Sequence, residues 1–419
     1  MYACERGALL TMETNTPQKT AERTTKLMAG GRRLAPLNIL YFSQFLSAFA
    51  DNMILFVTLA IIKANALPEF YIGVVQAAFL LSFVICAPFV GAFADRNYKS
   101  RVLLIGNGVK AIGMVLLMLG VDPALSYAVV GIGAAIYSPA KYGILPELTS
   151  GGQELLRANA RMEGFTILAI LTGSLCGGIV AESSLRLGMV LCVMLYVIAL
   201  VVSLKIPYGS RNPAIRYGRE LVIFFQDTTK LFRSRKTRFS LVGTGSFWMS
   251  SAVLRLALIA WVPVHLGLQS LDSISMLTAV TGIGIMAGSL ATPKLVPAAR
   301  YYNAWRFGGA MVVTMLLFPF LHLTAVTVGL LLVIGFAGGV FIVPMNTALQ
   351  EEGQLSVGAG KTIAVQNLIE NALMLLGVGI YTKITAWGAS ADASILGMAA
   401  VLAVMVLYLV MEARKLARA

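Results

Sequence analysis

Long apolar segments separated by short polar ones follow one another along almost the whole chain. Each can cross a hydrocarbon core of about 30 Å as an α-helix, which takes about 20 residues. The pattern predicts an all-α polytopic membrane protein with twelve transmembrane helices. The predicted spans are 36–62, 70–94, 102–120, 124–146, 160–181, 186–205, 239–265, 273–293, 303–322, 325–349, 358–385 and 390–412.

Composition and charge agree with this fold class. Of the 419 residues 58% are hydrophobic and 12% are charged, whereas a soluble domain carries about 25% charged residues. The net charge of +14 could indicate a nucleic-acid partner, but most Lys and Arg fall in the loops and tails on one side of the predicted membrane. This is the bias of cytoplasmic loops. We therefore expect both termini in the cytoplasm and no nucleic-acid partner.

A basic segment between the sixth and seventh spans divides the chain into two halves. We predict an N-terminal tail (1–35), a six-helix half (36–205), a basic cytoplasmic linker (206–238), a second six-helix half (239–412) and a short tail (413–419). The linker is either a solvated loop or an amphipathic segment that lies on anionic headgroups. The second interpretation depends on the apolar residues among its charges, which are Leu221, Phe224, Phe225, Leu231 and Phe232.

The two halves carry matching segments, which predicts an internal structural repeat. Gln44, Ser47 and Asp51 align at an offset of 204 with Trp248, Ser251 and Arg255. The segments YSPAKYGILPE (137–147) and IVPMNTALQEE (342–352) align at an offset of 205. In transporters, such repeats form a substrate site at their interface near the midplane and give alternating access by rocking of the halves.

Four charged residues lie within the predicted spans and are candidate functional groups. Asp51 and Arg255 occupy equivalent positions in the repeat, so we expect them to pair across the interface and to close the outer side. We expect Lys141 and Glu370 to support the inner side in the same way. The alternative is that each charge is satisfied within its own half and only holds helices together. Weaker candidates are Lys110 with no identified partner, Glu163 as an ordinary interfacial group, and Asn346.

The segment GAFADRNYKSR (91–101) resembles the signature loop of the major facilitator superfamily, Gly-x-x-x-Asp-Arg-x-x-Arg/Lys-Arg. The matching residues are Gly91, Asp95, Arg96, Lys99 and Arg101, and the sequence departs from the commonest form at Asn97 and Ser100. We expect Gly91 to permit a close helix crossing and Asp95 to cap a neighbouring helix N-terminus. The resemblance implies that this loop stabilises the outward-facing state.

Longer blocks resemble the LplT-type lysophospholipid transporters, a branch of that superfamily in Gram-negative inner membranes. The blocks are QFLSAFADN (44–52), YSPAKYGILPELT (137–149), RFSLVGTGSFW (238–248), VPMNTALQEEG (343–353) and AVQNLIENALML (364–375). The departures are Ala50, where Gly is expected, Glu352, where a basic residue is expected, and a long N-terminal tail.

The resemblance implies a flippase that moves lysophospholipids, chiefly lysophosphatidylethanolamine, from the outer to the inner leaflet. It also implies a functional link to a cytoplasmic-face acyltransferase/acyl-carrier-protein synthetase, which restores the second acyl chain, and we expect a monomer. The substrate and gating residues that we expect are Asp51, Asn52, Lys141, Tyr142, Arg255, Gln366, Asn367 and Glu370. The residues expected to form the conformational loop are Gly91, Asp95, Arg96 and Arg101.

Two other functions compete with this hypothesis. A proton-coupled exporter of drugs or metabolites would also use embedded acids such as Asp51 and Glu370. A membrane-bound acyltransferase needs a histidine followed five residues later by aspartate, but Ser270 follows His265 and Thr327 follows His322 at that distance. We therefore expect no enzymatic activity, no catalytic residue, no cofactor and no metal site, and we expect the four cysteines to be packing residues.

Overall fold

The computed structural model describes residues 36–68, 70–268 and 271–418. The predicted N-terminal tail, 1–35, lies outside the described residues. Among the described residues, eleven helices are long and apolar enough to cross a membrane. Together with one shorter helix, which is part of the ninth crossing, they are numbered α1 to α12 in chain order. They are Pro36–Ala64, Phe70–Arg96, Lys99–Met118, Pro123–Gly143, Gly152–Ser183, Leu185–Ser203, Arg235–Leu266, Leu271–Leu295, Trp305–Leu317, Thr324–Ser356, Ala359–Ala386 and Ala391–Leu416.

The ninth crossing is divided into three helical pieces. Its α-helix has 13 residues, which is too short to span a bilayer alone. A 3₁₀ segment, Ala298–Ala304, precedes it and another, Phe318–Phe320, follows it. At about 1.5 Å per residue in the α-helix and about 2 Å in the 3₁₀ segments, the three pieces together reach across the hydrocarbon core.

The helix ends follow local sequence rules. At α4 the side chain of Asp122 accepts hydrogen bonds from the N–H groups of Ala124 and Leu125, with proline at the first helical position, a favourable start for a helix. Both α5 and α11 are preceded by a glycine with positive φ, Gly151 at 90° and Gly358 at 110°. The two halves therefore begin their fifth helix with the same backbone conformation.

Helix crossings use glycine where backbones meet. A Cβ at Gly335 or Gly339 of α10 would overlap backbone atoms of α8, and one at Gly284 or Gly288 of α8 would overlap those of α10. Small residues of this kind permit close packing of membrane helices.

A linker helix, Glu220–Arg233, lies between the halves in sequence and packs against α2, α7 and α11. Its buried face includes Phe224 and Leu231, whereas Leu221 and Phe225 are exposed. The helical part of the linker is therefore amphipathic and has one face on the helical bundle, and its contact with anionic headgroups stays a prediction. We call the end of the bundle that carries it the linker side and the opposite end the far side.

The halves pack most closely on the linker side. The interhalf seams are α2 with α11 and α5 with α8, and α4 also contacts α11. Every interhalf hydrogen bond described below lies in the linker-side portion of the bundle or near its middle. Packing between α1 and α7 is slight. On these two helices Asp51 is partly exposed and Arg255 is exposed.

Candidate functional site

Asp51 pairs with Lys110 inside the first half. The Lys110 Nζ lies 2.7 Å from Asp51 Oδ2 and donates a second hydrogen bond, of 2.9 Å, to Ser47. The hydroxyl of Tyr196 donates to Asp51 Oδ1 over 2.9 Å. Lys110 is almost fully buried and Asp51 retains 21% exposure of its side chain. The carboxylate is thus neutralised by its own half and still keeps part of its surface exposed.

The expected Asp51–Arg255 pair is not formed in this structure. Arg255 is exposed, and its guanidinium makes no ion pair within the described part of the chain. The reason is that Lys110, on α3, already satisfies Asp51. The Asp51 side of this result matches the alternative stated above, in which a charge is satisfied within its own half. That the two groups meet when the far side closes stays a prediction.

Lys141 lies on α4 at the interface and is buried. Its Nζ is 4.1 Å from the centre of the Tyr142 ring. Neither Glu163 nor Glu370 forms an ion pair with it among the described residues. The expected Lys141–Glu370 ion pair is therefore not formed in this structure, and its formation in another conformation stays a prediction.

A chain of hydrogen bonds holds Glu370. The Gln366 Nε2 donates to Glu370 Oε1 and to Asn346 Oδ1, each over 2.7 Å. Asn367 reaches the first half, since its Nδ2 donates to Ser138 Oγ over 2.9 Å. These contacts bring the predicted residues of α11 together with α10 and α4.

Asn52 stands apart from this group. Its Nδ2 donates to the Ala48 carbonyl over 2.8 Å within its own helix. Its expected role as a substrate residue stays a prediction.

Sequence reasoning underestimated Lys110 and Glu163 and missed Tyr196. Lys110 is the partner of Asp51. Both residues lie in the middle of their predicted spans, so a comparison of their depths in the membrane could have indicated this pair. Glu163 was expected to be an ordinary interfacial group, but it is 3% exposed and its Oε1 has no hydrogen-bond partner in the described part of the chain. The sequence does contain a sign that Glu163 is buried within the bundle, because the second half also has a glutamate, Glu370, at the corresponding position of its fifth helix.

The signature loop joins the halves on the linker side. The Asp95 carboxylate accepts hydrogen bonds from the N–H groups of Gly360, at 2.7 Å, and Lys361, at 3.0 Å. It thus caps the N-terminus of α11, where a negative charge is favoured by the helix dipole. A Cβ on Gly91 would come within 2.7 Å of Lys361 Cα, so the expected close crossing and the expected cap are both present.

The basic residues of the loop have separate contacts. Lys99 lies 3.1 Å from Glu147 Oε1 and 3.6 Å from Asp95 Oδ1. Arg96 stacks over the ring of Tyr217 in the linker, at 4.5 Å, and Arg101 lies over Tyr98 at 5.3 Å. The loop therefore contacts the first half, the linker and α11 together.

A second contact between the halves is a reciprocal amide pair. The Asn159 Nδ2 donates to Gln350 Oε1 over 2.9 Å, and Gln350 Nε2 donates back to Asn159 Oδ1 over 3.0 Å. Both side chains are 2% exposed. Because buried amides without partners are costly, this pair stabilises the closed linker side.

The linker helix adds an ionic contact. Lys361 lies 3.0 Å from Glu220 and 3.3 Å from Asp227. Burial raises the pKa of Asp227, and the nearby Lys361 opposes this rise. Through Lys361 the linker is tied to the same helix N-terminus that Asp95 caps.

Comparison with known proteins identifies the family. The model of the Major Facilitator Superfamily matches residues 40–378. The chain is 43% identical over 370 residues to the Lysophospholipid transporter LplT of Klebsiella pneumoniae subsp. pneumoniae, covering 87% of this chain and 92% of the relative. It is 44% identical over 346 residues to that of Escherichia coli O1:K1, covering 81% and 86%.

Solved structures support the fold. The human organic anion transporter MFSD10 (TETRAN) gives a TM-score of 0.73 at 16% identity, covering 89% of this chain and 98% of the neighbour. The Major Facilitator Superfamily transporter FucP in the outward conformation gives 0.71 at 12% identity, covering 90% and 99%. The chain belongs to the Major Facilitator Superfamily and, within it, to the LplT family.

Proposed function

We propose that the protein is a lysophospholipid transporter. It flips lysophospholipids, chiefly lysophosphatidylethanolamine, from the outer to the inner leaflet of the bacterial inner membrane by alternating access. The observation that carries the proposal is the 43–44% identity over more than four fifths of the chain to proteins of that printed name.

The chemistry of the interface supports this substrate class. A lysophosphatidylethanolamine headgroup has a phosphate and an ammonium group, and so needs charges of both signs. Arg255 is exposed and suits a phosphate, whereas Asp51 is partly exposed and accepts N–H donors. We assign Arg255 to the phosphate during entry from the far side.

The membrane orientation follows from charge. The linker carries many Lys and Arg, including the cluster 230–238, and such segments stay in the cytoplasm. The linker side is then the cytoplasmic side, both termini are cytoplasmic, and the structure corresponds to a state closed to the cytoplasm. The domain boundaries proposed from the sequence fit this arrangement.

The product of flipping needs a second acyl chain. We propose that a cytoplasmic-face acyltransferase/acyl-carrier-protein synthetase consumes the flipped lysophospholipid, and that the transporter acts as a monomer. Two complete halves in one chain supply both sides of the interface, which supports the monomer.

A leaflet-resolved flipping assay in reconstituted vesicles tests the function. We expect lysophosphatidylethanolamine to be flipped, and diacyl phosphatidylethanolamine to be flipped far more slowly. Equal rates for the two lipids, or no flipping above protein-free vesicles, contradict the proposal.

The second candidate is a proton-coupled exporter of drugs or metabolites. It is favoured by the two buried carboxyl groups near the midplane, Glu163 and Glu370, since embedded acids of this kind serve as proton relays. Lysophospholipid flipping that continues unchanged after the proton gradient is collapsed rules this candidate out.

A further inference from the structure

Four buried residues form a symmetric group near the midplane. Glu163 and Glu370 are each the twelfth residue of their helix, in α5 and α11. Lys141 and Asn346 align at the repeat offset of 205 in α4 and α10. All four are at most 8% exposed. We call these residues the midplane quartet; each half contributes one carboxyl group and one residue from the helix before it.

The quartet has one positive charge too few. Lys141 carries a positive charge in the first half, but the equivalent position in the second half is the neutral Asn346. Two carboxyl groups therefore face one ammonium group. The second half is the poorer in positive charge, because Asn346 stands there in place of a lysine.

Neutral hydrogen bonds do not complete the quartet. Glu370 Oε1 is held by the amide of Gln366. The Tyr142 hydroxyl lies within hydrogen-bonding reach of the Glu163 carboxyl group, but Glu163 Oε1 has no hydrogen-bond partner within residues 36–68, 70–268 and 271–418. A buried carboxylate oxygen without a hydrogen-bond donor is costly in free energy. The site consequently favours a small cation with several N–H donors that reaches it from the space between the halves.

We propose that Glu163 is a specificity-determining residue which, together with Glu370, receives the ammonium group of the lysophospholipid headgroup. This inference rests on the proposed function. A primary ammonium has three donors and supplies the positive charge that position 346 lacks. Headgroups without nitrogen leave the imbalance in place, so their transport does not depend on Glu163.

The test compares two lysophospholipids that differ only in headgroup. Leaflet-resolved flipping of lysophosphatidylethanolamine and of lysophosphatidylglycerol, which has no nitrogen, is measured for the wild type and for Glu163→Gln. We expect the flipping rate of the variant on lysophosphatidylethanolamine to fall at least about tenfold, since a hydrogen bond to a charged group is removed. The rate on lysophosphatidylglycerol should change by less than about twofold.

Two further variants keep the result interpretable. Glu163→Asp retains the charge and should preserve the preference for the ammonium headgroup even if its overall rate is lower. Glu154→Gln removes an exposed carboxylate from the same helix and should change neither rate.

Each outcome has one meaning. An equal fall on both lipids overturns the inference, because it indicates a structural role that does not depend on the headgroup. Unchanged rates on both lipids also overturn it. If the wild type flips neither lipid, the proposed function is wrong. If the wild type flips both and Glu163→Gln does not distinguish them, only the inference is wrong.

Discussion

At the scale of single residues, the partner of Asp51 determines what that carboxylate can do. Pairing with Lys110 and Tyr196 neutralises it within one half, so it does not need Arg255 for its stability. Arg255 in turn remains exposed and available to an anionic group. Substitution of Asp51 is therefore expected to lower stability, whereas substitution of Arg255 is expected to lower the flipping rate.

Asp51→Asn should destabilise the protein. It leaves the buried ammonium group of Lys110 without its ionic partner, and we expect the free energy of unfolding to fall by about 2 to 4 kcal/mol. Thermal melting in detergent measures the change. The double variant Asp51→Asn, Lys110→Met should recover most of it, because no unpaired charge remains.

Arg255→Gln is the matched comparison. Because this guanidinium makes no ion pair within the described residues, we expect wild-type melting and reduced flipping. A melting temperature as high for Asp51→Asn as for Arg255→Gln would show that Asp51 does not hold Lys110.

The sequence predicted Asp51 but not its partner. The spacing of Gln44, Ser47 and Asp51 is that of residues on one helix face, and Ser47 and Asp51 share the Lys110 ammonium. The partner was inferred from repeat symmetry, which relates equivalent positions but does not say which neighbouring helix is closest. That information depends on lateral packing, which hydropathy does not contain.

At the scale of helices, hydropathy located the spans better than their ends. The fifth span was expected from residue 160, but α5 begins at Gly152. Its first two turns contain Glu154 and Arg157, which are unfavourable in lipid but good helix formers. Hydropathy indicates which residues lie in the hydrocarbon core, whereas backbone hydrogen bonds extend the helix beyond those residues. The divided ninth crossing was missed for the related reason that a 3₁₀ segment has no hydropathy signal of its own.

Two glycines of α10 should respond differently to the same substitution. A Cβ at Gly335 would overlap the backbone of α8, whereas one at Gly329 would meet no atom within 4 Å. We expect Gly335→Ala to cost about 1 to 3 kcal/mol of stability and Gly329→Ala to be neutral or slightly stabilising. Thermal melting of both variants measures this difference in stability. Equal melting temperatures would contradict the close crossing of α8 and α10.

At the scale of the whole molecule, uncharged and charged contacts together close the linker side. The Asn159–Gln350 amide pair joins α5 to α10, and the Asp95 cap joins α2 to α11. The linker helix reinforces the second contact through Lys361. Weakening one of these contacts should shift the population towards a state open on that side.

Asn159→Leu tests this conformational role. The amide of Gln350 loses its reciprocal partner at a buried position, so we expect the linker-side-open population to rise by about tenfold. Spin labels at the exposed positions Arg157 and Gln354 measure the distance between the halves, and a longer distance should become populated.

Gln44→Leu is the control. It removes a buried amide that bonds Thr166 within the first half, over 3.0 Å. It should lower stability without changing the distance distribution. A distribution shifted equally by both variants would mean that general loosening, and not the interhalf contact, opens the structure.

The Asp95 cap also has a consequence for how the sequence can vary. Its two donors are main-chain N–H groups, which every residue except proline provides, so substitution of the Lys361 side chain leaves them in place. The size of the residue at position 360 is restricted instead, because a Cβ on Gly360 would lie 2.8 Å from the Gly91 carbonyl oxygen. In an alignment of relatives, we therefore expect positions 91 and 360 to vary together in size, while position 95 stays acidic whatever side chain occupies position 361.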